Sequence, residues 1–195
     1  GLGDVYKRQV TGNGNAATIK AISGGTATIT AAIPADGLQY SFNVTVGVTI
    51  AEDTVEVGQG QSVALTTNSN SVSDVYWWSA DENVATVSNG VVYGVYAGST
   101  TVYASCLDHN PNNNAGDSVT VKVPYVVNTP ETTVLVGDKI AISTTANPSE
   151  VNYASSNNNI VSYDSKTGMF TANSTGTADD QICRRQTNVH VIDVF

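Results

Sequence analysis

Positive charge is scarce in this chain of 195 residues: 8 Lys and Arg stand against 17 Asp and Glu, giving a formal net charge of −9. Between Arg8 and Lys122 the only basic residue is Lys20. Such a surface repels polyanions, which excludes nucleic acid and anionic lipid as partners. Cysteine is equally sparse. Cys106 and Cys183 come with no CxxC pair and no Cys/His ligand spacing, which argues against a zinc site and a disulfide-dense scaffold alike. No apolar run approaches the roughly 18 residues of a membrane helix, and no secretory signal pattern is present. The single methionine is Met169, which sets the expectation that the chain is a fragment of a longer reading frame. Histidine occurs only at His109 and His190, neither beside a Ser/Asp or Cys constellation, and GxSxG and HExxH are missing. These absences leave no catalytic residue, metal site or cofactor to assign, and point away from an enzyme.

Charged residues amount to 13%, about half the roughly 25% of an average soluble domain. Polar surface therefore has to come from Thr, Ser and Asn. Thr is β-branched and sits well on a pleated surface, so the composition leans all-β. The glycine-rich stretches Gly12-Asn13-Gly14-Asn15 and Gly58-Gln59-Gly60 lack a phosphate-binding Lys and a following helix. They read as turns.

What is present is a repeat. Residues 19–31, 92–104 and 170–182 each hold an alternating segment, a glycine followed by Thr or Ser, and a second segment. The glycines are Gly25, Gly98 and Gly176, spaced by 73 and 78 residues. Upstream, the 55–65 stretch answers to 134–142, and Trp77 and Val84 match Tyr153 and Ile160 at a constant offset of 76. Within the middle copy, period-2 alternation predicts short strands at 48–50, 62–67, 74–79, 84–88, 91–96, 100–105 and 118–123. Turn residues separate them, and Asn89-Gly90 supplies the positive φ of a tight hairpin. Seven short strands in one copy of this length point to a β-sandwich.

The motifs that fill the middle copy resemble a known family. Val57-Gly58, Val75-Tyr76-Trp77, Val84-Ala85-Thr86-Val87, Gly90-Val91-Val92 and Gly98 look like the pattern of the bacterial immunoglobulin-like domain, group 2 (BIG2). The third copy departs from it with Tyr153 in place of the Trp and a longer hairpin at 164–168. The resemblance implies an all-β chain of tandem immunoglobulin-like β-sandwiches, one complete, one nearly complete and one truncated. The expected boundaries are 11–46 for the C-terminal part of a truncated domain, 47–125 for a complete one, and 126–195 for a third with a divergent end. In the truncated part, Ile19, Ile22, Ile29 and Ile33 should lack apolar partners. Asp4-Val5-Tyr6-Lys7-Arg8-Gln9 resembles the translated end of a transposase-based sequencing adapter, so residues 1–10 are expected to be non-native, as in a metagenomic fragment. Cys106 and Cys183 fall at nearly matching positions of different copies and read as free thiols.

If Trp77 faces the core, as the resemblance implies, alternation turns Tyr76 and Trp78 outward. Tyr103 on the neighbouring strand faces out beside them. The three form a candidate aromatic patch with three open readings: cross-strand pairing, a contact with a neighbouring domain, or a platform for a ligand such as a sugar ring. The third copy has Asn152 and Ala154 in place of Tyr76 and Trp78, which confines the patch to the middle copy. The loop between Asp108 and Asp117 is rich in Asn, with oxygen ligands a hard cation prefers, but it lacks the spacing of an EF-hand. It reads as a long polar connection. The resemblance implies stalk or binding modules of bacterial surface adhesins and secreted proteins, outside the cell. Partners would then be a host or cell-surface glycan or protein and neighbouring immunoglobulin-like domains. The other reading is an accessory glycan-binding or spacer module of an extracellular carbohydrate-active enzyme.

Overall fold

A computed structural model describes residues 8–13, 16–70, 74–128, 133–182 and 188–195. Residues 1–7 of the 1–10 stretch expected to be non-native, Cys183 and the rest of 183–187 lie outside the described residues, as does the side chain of His190. The chain is all-β. Among the described residues there is no α-helix, and Pro148–Glu150 forms a 3-10 turn.

Two hairpins come first: β1 (Arg8–Asn13) with β2 (Ala16–Ala21), and β3 (Gly25–Ile33) with β4 (Leu38–Val46). One face of the second hairpin is zipped by side-chain hydrogen bonds, Thr26 to Thr45, Thr28 to Asn43 and Thr30 to Ser41. The other face carries Ile29 opposite Phe42, Ala31 opposite Tyr40 and Ile33 opposite Leu38. Leu38 and Tyr40 are 62% and 70% exposed. Of the four isoleucines expected to lack partners, Ile22 and Ile33 are exposed, whereas Ile19 and Ile29 are half-buried.

The middle copy contributes β5 (Thr54–Glu56), β6 (Ser62–Ala64), β7 (Tyr76–Ser79), β8 (Ala85–Ser88), β9 (Val91–Gly94), β10 (Gly98–Ser105) and β11 (Gly116–Val123). They form a four-stranded sheet, β5-β11-β10-β7, and a three-stranded one, β6-β9-β8. Their apolar faces enclose Val92, Val102, Val119 and Val121, all fully buried, with Trp77 packed against them. Two strand expectations shift. Residues 48–50 make only an isolated bridge, Ile50 to Thr67, and 62–67 shortens to β6. Alternation did not single out β5, because its ladder is parallel to β11 and joins residues far apart in sequence.

The third copy repeats this wiring. It has β12 (Val127–Asn128), β13 (Thr133–Val134), β14 (Lys139–Ile140), β15 (Ser143–Thr144), β16 (Tyr153–Ser155), β17 (Val161–Asp164), β18 (Met169–Ala172), β19 (Gly176–Ile182) and β20 (Asn188–Val194). The sheets run β13-β20-β19-β16 and β14-β18-β17, again with one parallel ladder, β13 on β20. The pair β12-β15 stands where the middle copy has its Ile50–Thr67 bridge. The three repeat glycines share one conformation, with φ of 131° at Gly25, 154° at Gly98 and 140° at Gly176. A side chain there would be strained, which explains why the sequence keeps glycine at this point of each copy. The divergent Asp179-Asp180 does not end the ladder, since β19 pairs with β20 through Ile182 and Asn188.

The chain divides into two compact units: Gly1–Val95 with Ser99–Val123, and Tyr96–Gly98 with Pro124–Phe195. Each contains the same fastening of a strand entry. In the first unit, Asn68 donates from Nδ2 to the Gly47 carbonyl (3.1 Å) and accepts at Oδ1 from the Thr49 amide (3.0 Å). Its own amide donates to the Thr49 carbonyl (3.2 Å), and its carbonyl accepts from Gly24 (3.3 Å). In the second unit, Thr145 Oγ1 donates to the Pro124 carbonyl (2.8 Å) and accepts from the Val126 amide (2.8 Å). The Thr145 amide donates to the Val126 carbonyl (3.0 Å), and its carbonyl accepts from Ala97 (2.8 Å). Different residue types therefore make the same four bonds.

Candidate functional site

The outward face of the β7–β10 pair brings the expected aromatics together. Register places Tyr103 directly opposite Trp78, and their rings stack with centroids 5.1 Å apart and planes 14° apart. Both are half-buried. Tyr76 also faces out, 45% exposed, but its ring partner is one that sequence reasoning left in the loop. His109 meets Tyr76 edge-on at 5.1 Å and Trp78 at 5.4 Å. The patch is thus a stacked pair with a histidine at its rim, not three coplanar rings.

His109 is carried there by residues 106–115, the connection from β10 to β11. This loop is built on itself. Asn113 donates from Nδ2 to the hydroxyl of fully buried Ser105 (2.9 Å) and to Asp108 Oδ1 (2.7 Å). Its Oδ1 accepts from the Ala115 amide (3.0 Å). Asp108 and Asn110 each take the amide two residues on, both at 3.0 Å, as Asx turns do. Cys106 is buried at the start of the loop, its sulfur 3.3 Å from the Val46 carbonyl and 3.4 Å from that of Ala115.

Between loop and sheet lies a cleft of about 190 Å³, lined by Trp78, Tyr103, Asn110, Pro111, Asp117 and Ser118 among others. Asp117 holds its wall in place. Its Oδ2 accepts from the Ile50 amide (2.9 Å) and its Oδ1 from the Ser118 amide (2.8 Å). The Asn- and Asp-rich loop, considered for its oxygen ligands, therefore directs several of them at its own backbone. Among the described residues, no three His, Cys, Asp or Glu side chains converge as metal ligands. No helix among them is long and apolar enough to cross a membrane.

The carboxyls with shifted pKa lie away from the cleft. At Glu52 slight burial pushes the carboxyl up, but the Thr66 amide (3.2 and 3.1 Å), the Thr66 side chain and the residue's own amide together outweigh this and hold it low. At Asp164 the Lys166 amide (2.9 Å) and then the Thr167 hydroxyl (3.0 Å) hold the carboxyl below its ordinary range.

Residues 44–109 match the family model described as the bacterial Ig-like domain, group 2. The matched segment covers most of the middle copy, including Tyr76, Trp78, Tyr103 and His109. No curated protein matches the chain. Solved structures similar to it include the S-layer protein rSbsC, at 12% identity over 97% of this chain and 35% of that one, TM-score 0.30. A C-terminal 282-residue fragment of intimin, in complex with the intimin-binding domain of its translocated receptor, is 13% identical over 75% of this chain and 61% of that one, TM-score 0.31. Invasin, a bacterial integrin-binding protein, is 11% identical over 91% and 47%, TM-score 0.31. This chain thus spans 35%, 61% and 47% of those three structures.

Proposed function

We propose that the chain is a non-catalytic run of immunoglobulin-like β-sandwich modules from a bacterial surface or secreted protein, acting outside the cell as a stalk that spaces and presents an adhesive part. The reading takes residues 11–46 as the end of one module, 47–125 as a whole module and 126–195 as another. The match of residues 44–109 to a bacterial immunoglobulin-like family supports the cellular setting.

The observation that carries the mechanical role is the recurring fastening of the strand entries. A short connection left to itself samples many backbone states. Here each one is held to the module that follows it by a side chain that donates and accepts at once, through Asn68 in one unit and Thr145 in the other. Pro124 fixes a further backbone angle. A spacer transmits position only if its entries are held in this way, whereas an enzyme or a flexible linker has no such need.

Single-molecule extension of the full chain tests this. Discrete force peaks are expected, one for each intact sandwich, and Asn68→Ala and Thr145→Ala should soften the first extension before any peak. A chain that lengthens smoothly at low force would overturn the stalk reading.

A further inference from the structure

We propose that the cleft between the Trp78–Tyr103 pair and the 106–115 loop is a binding site for one neutral sugar ring of a glycan. The sheet can be built without the aromatics. The third copy builds the matching strand pair, β16 with β19, and places Ala154 opposite Gln181 where the middle copy has Trp78 opposite Tyr103. Half-buried rings of this size on one copy alone therefore add something the fold does not require.

The cleft is also formed in advance. Buried Ser105 anchors Asn113, and Asn113 holds the loop that carries Asn110 and Pro111. Its volume of about 190 Å³ is below the roughly 300–1,000 Å³ that takes a drug-sized ligand, so it admits a single ring.

The wall chemistry selects the ring. A pyranose has an apolar C–H face, which packs on an aromatic face, and hydroxyls around its rim. Those hydroxyls would meet Asp117, Ser118 and Asn110. Each Asp117 oxygen already takes one backbone amide, leaving acceptor capacity for a hydroxyl but not the uncommitted fork that an arginine needs. Asn110 uses Oδ1 on the Asn112 amide, so its NH₂ is the group left to donate to a sugar oxygen. Among the described residues no Lys or Arg lines the cleft, and the chain carries −9. Sulfated, sialylated and phosphorylated sugars are therefore disfavoured. A neutral hexose unit fits all four walls. For one ring the dissociation constant should be on the order of 1 mM.

The test is a titration of the full chain, followed by ¹H–¹⁵N and aromatic NMR, with gluco-, manno- and galacto-hexaose, a sulfated hexaose and an arginine-rich peptide. At least one neutral hexaose should shift the Trp78 indole and the Tyr103 and Ser118 signals. The double variant Trp78→Ala/Tyr103→Gln copies the pair that the third copy uses, so the sheet should persist. It should bind at least tenfold more weakly, with its melting curve still cooperative. Absence of shifts with every neutral hexaose overturns the proposal, as does equal binding by the double variant. Response to the sulfated sugar alone, or to the peptide alone, overturns it too and reassigns the cleft to an anionic glycan or a protein partner.

Discussion

The middle and third copies share strand order, sheet division and even the single parallel ladder, yet they fill their cores differently. In the middle copy one large ring, Trp77, lies over the β8–β9 hairpin, and Val87 and Val92 stand nearby. In the third copy Tyr153 replaces the Trp, and the valine positions become Tyr163 and Phe170. Those three rings pack together, with centroids 4.8 to 6.1 Å apart. Bulk removed from one strand has been returned on two others. Topology is thus set by alternation and the repeat glycine, while the filling can be exchanged as long as volume is conserved. The exchange has a polar side. Trp77 Nε1 is buried without a hydrogen-bond partner among the described residues, a cost that a packed Phe would not carry.

The largest test of this contrast is truncation of each ring. Phe170 is fully buried, so Phe170→Ala should cost about 3–5 kcal/mol in urea denaturation. Trp77 is half-buried and should fall at the low end, about 3 kcal/mol for Trp77→Ala. Equal losses would mean that the two cores are not filled by different means.

The entry residues come next. Thr145 is buried, whereas Asn68 is exposed and water can replace its side chain. Thr145→Ala should therefore cost about 1–3 kcal/mol and Asn68→Ala about 1 kcal/mol or less. The reverse order would break the correspondence between them.

A finer comparison sets the hairpin glycines against each other. Gly90 (φ +77°) and Gly168 (φ +71°) need the same left-handed backbone, but only at Gly90 would a Cβ press on Trp77, 3.2 Å from Cζ2. Alanine should cost about 1–2 kcal/mol at Gly168 for the backbone alone, and measurably more at Gly90. Trp77→Phe should narrow the gap.

The smallest effect is in acid. The Asp164 carboxyl is held below its ordinary 3.8 by the Lys166 amide and the Thr167 hydroxyl. Its contribution is therefore full above that value and is lost as pH falls through the lower folded value. The middle hairpin, turning on Asn89 and Gly90, has no such group. Thermal melts of Asp164→Asn should show a flatter loss of stability below pH 3.8 than the parent.

Much of this was legible in the sequence, for local reasons. The resemblance placed Trp77 inward, and alternation then gave the outward Tyr76, Trp78 and Tyr103, because period 2 fixes the face of every strand residue once one is placed. Asn89-Gly90 named its own hairpin. The parallel ladder of β5 on β11 was hidden, since nothing local to Thr54–Glu56 records a partner more than sixty residues away. His109 was hidden for a related reason: a loop has no period, and only the Ser105–Asn113 anchor brings the imidazole to the rings. The fastening residues were masked by chemistry. Asn68 and Thr145 look unrelated in an alignment by type, and only the bonds they make reveal them as equivalent.

Hydrogen exchange on the full chain tests that equivalence most directly. The amides of Thr49 and Val126 are donated to Asn68 Oδ1 and Thr145 Oγ1. Both should exchange slowly, and each should lose protection selectively in Asn68→Ala or Thr145→Ala. Exchange of both at the rate of the exposed Asp108–Pro111 loop, unchanged in the variants, would contradict the fastened entries and the stalk proposed from them.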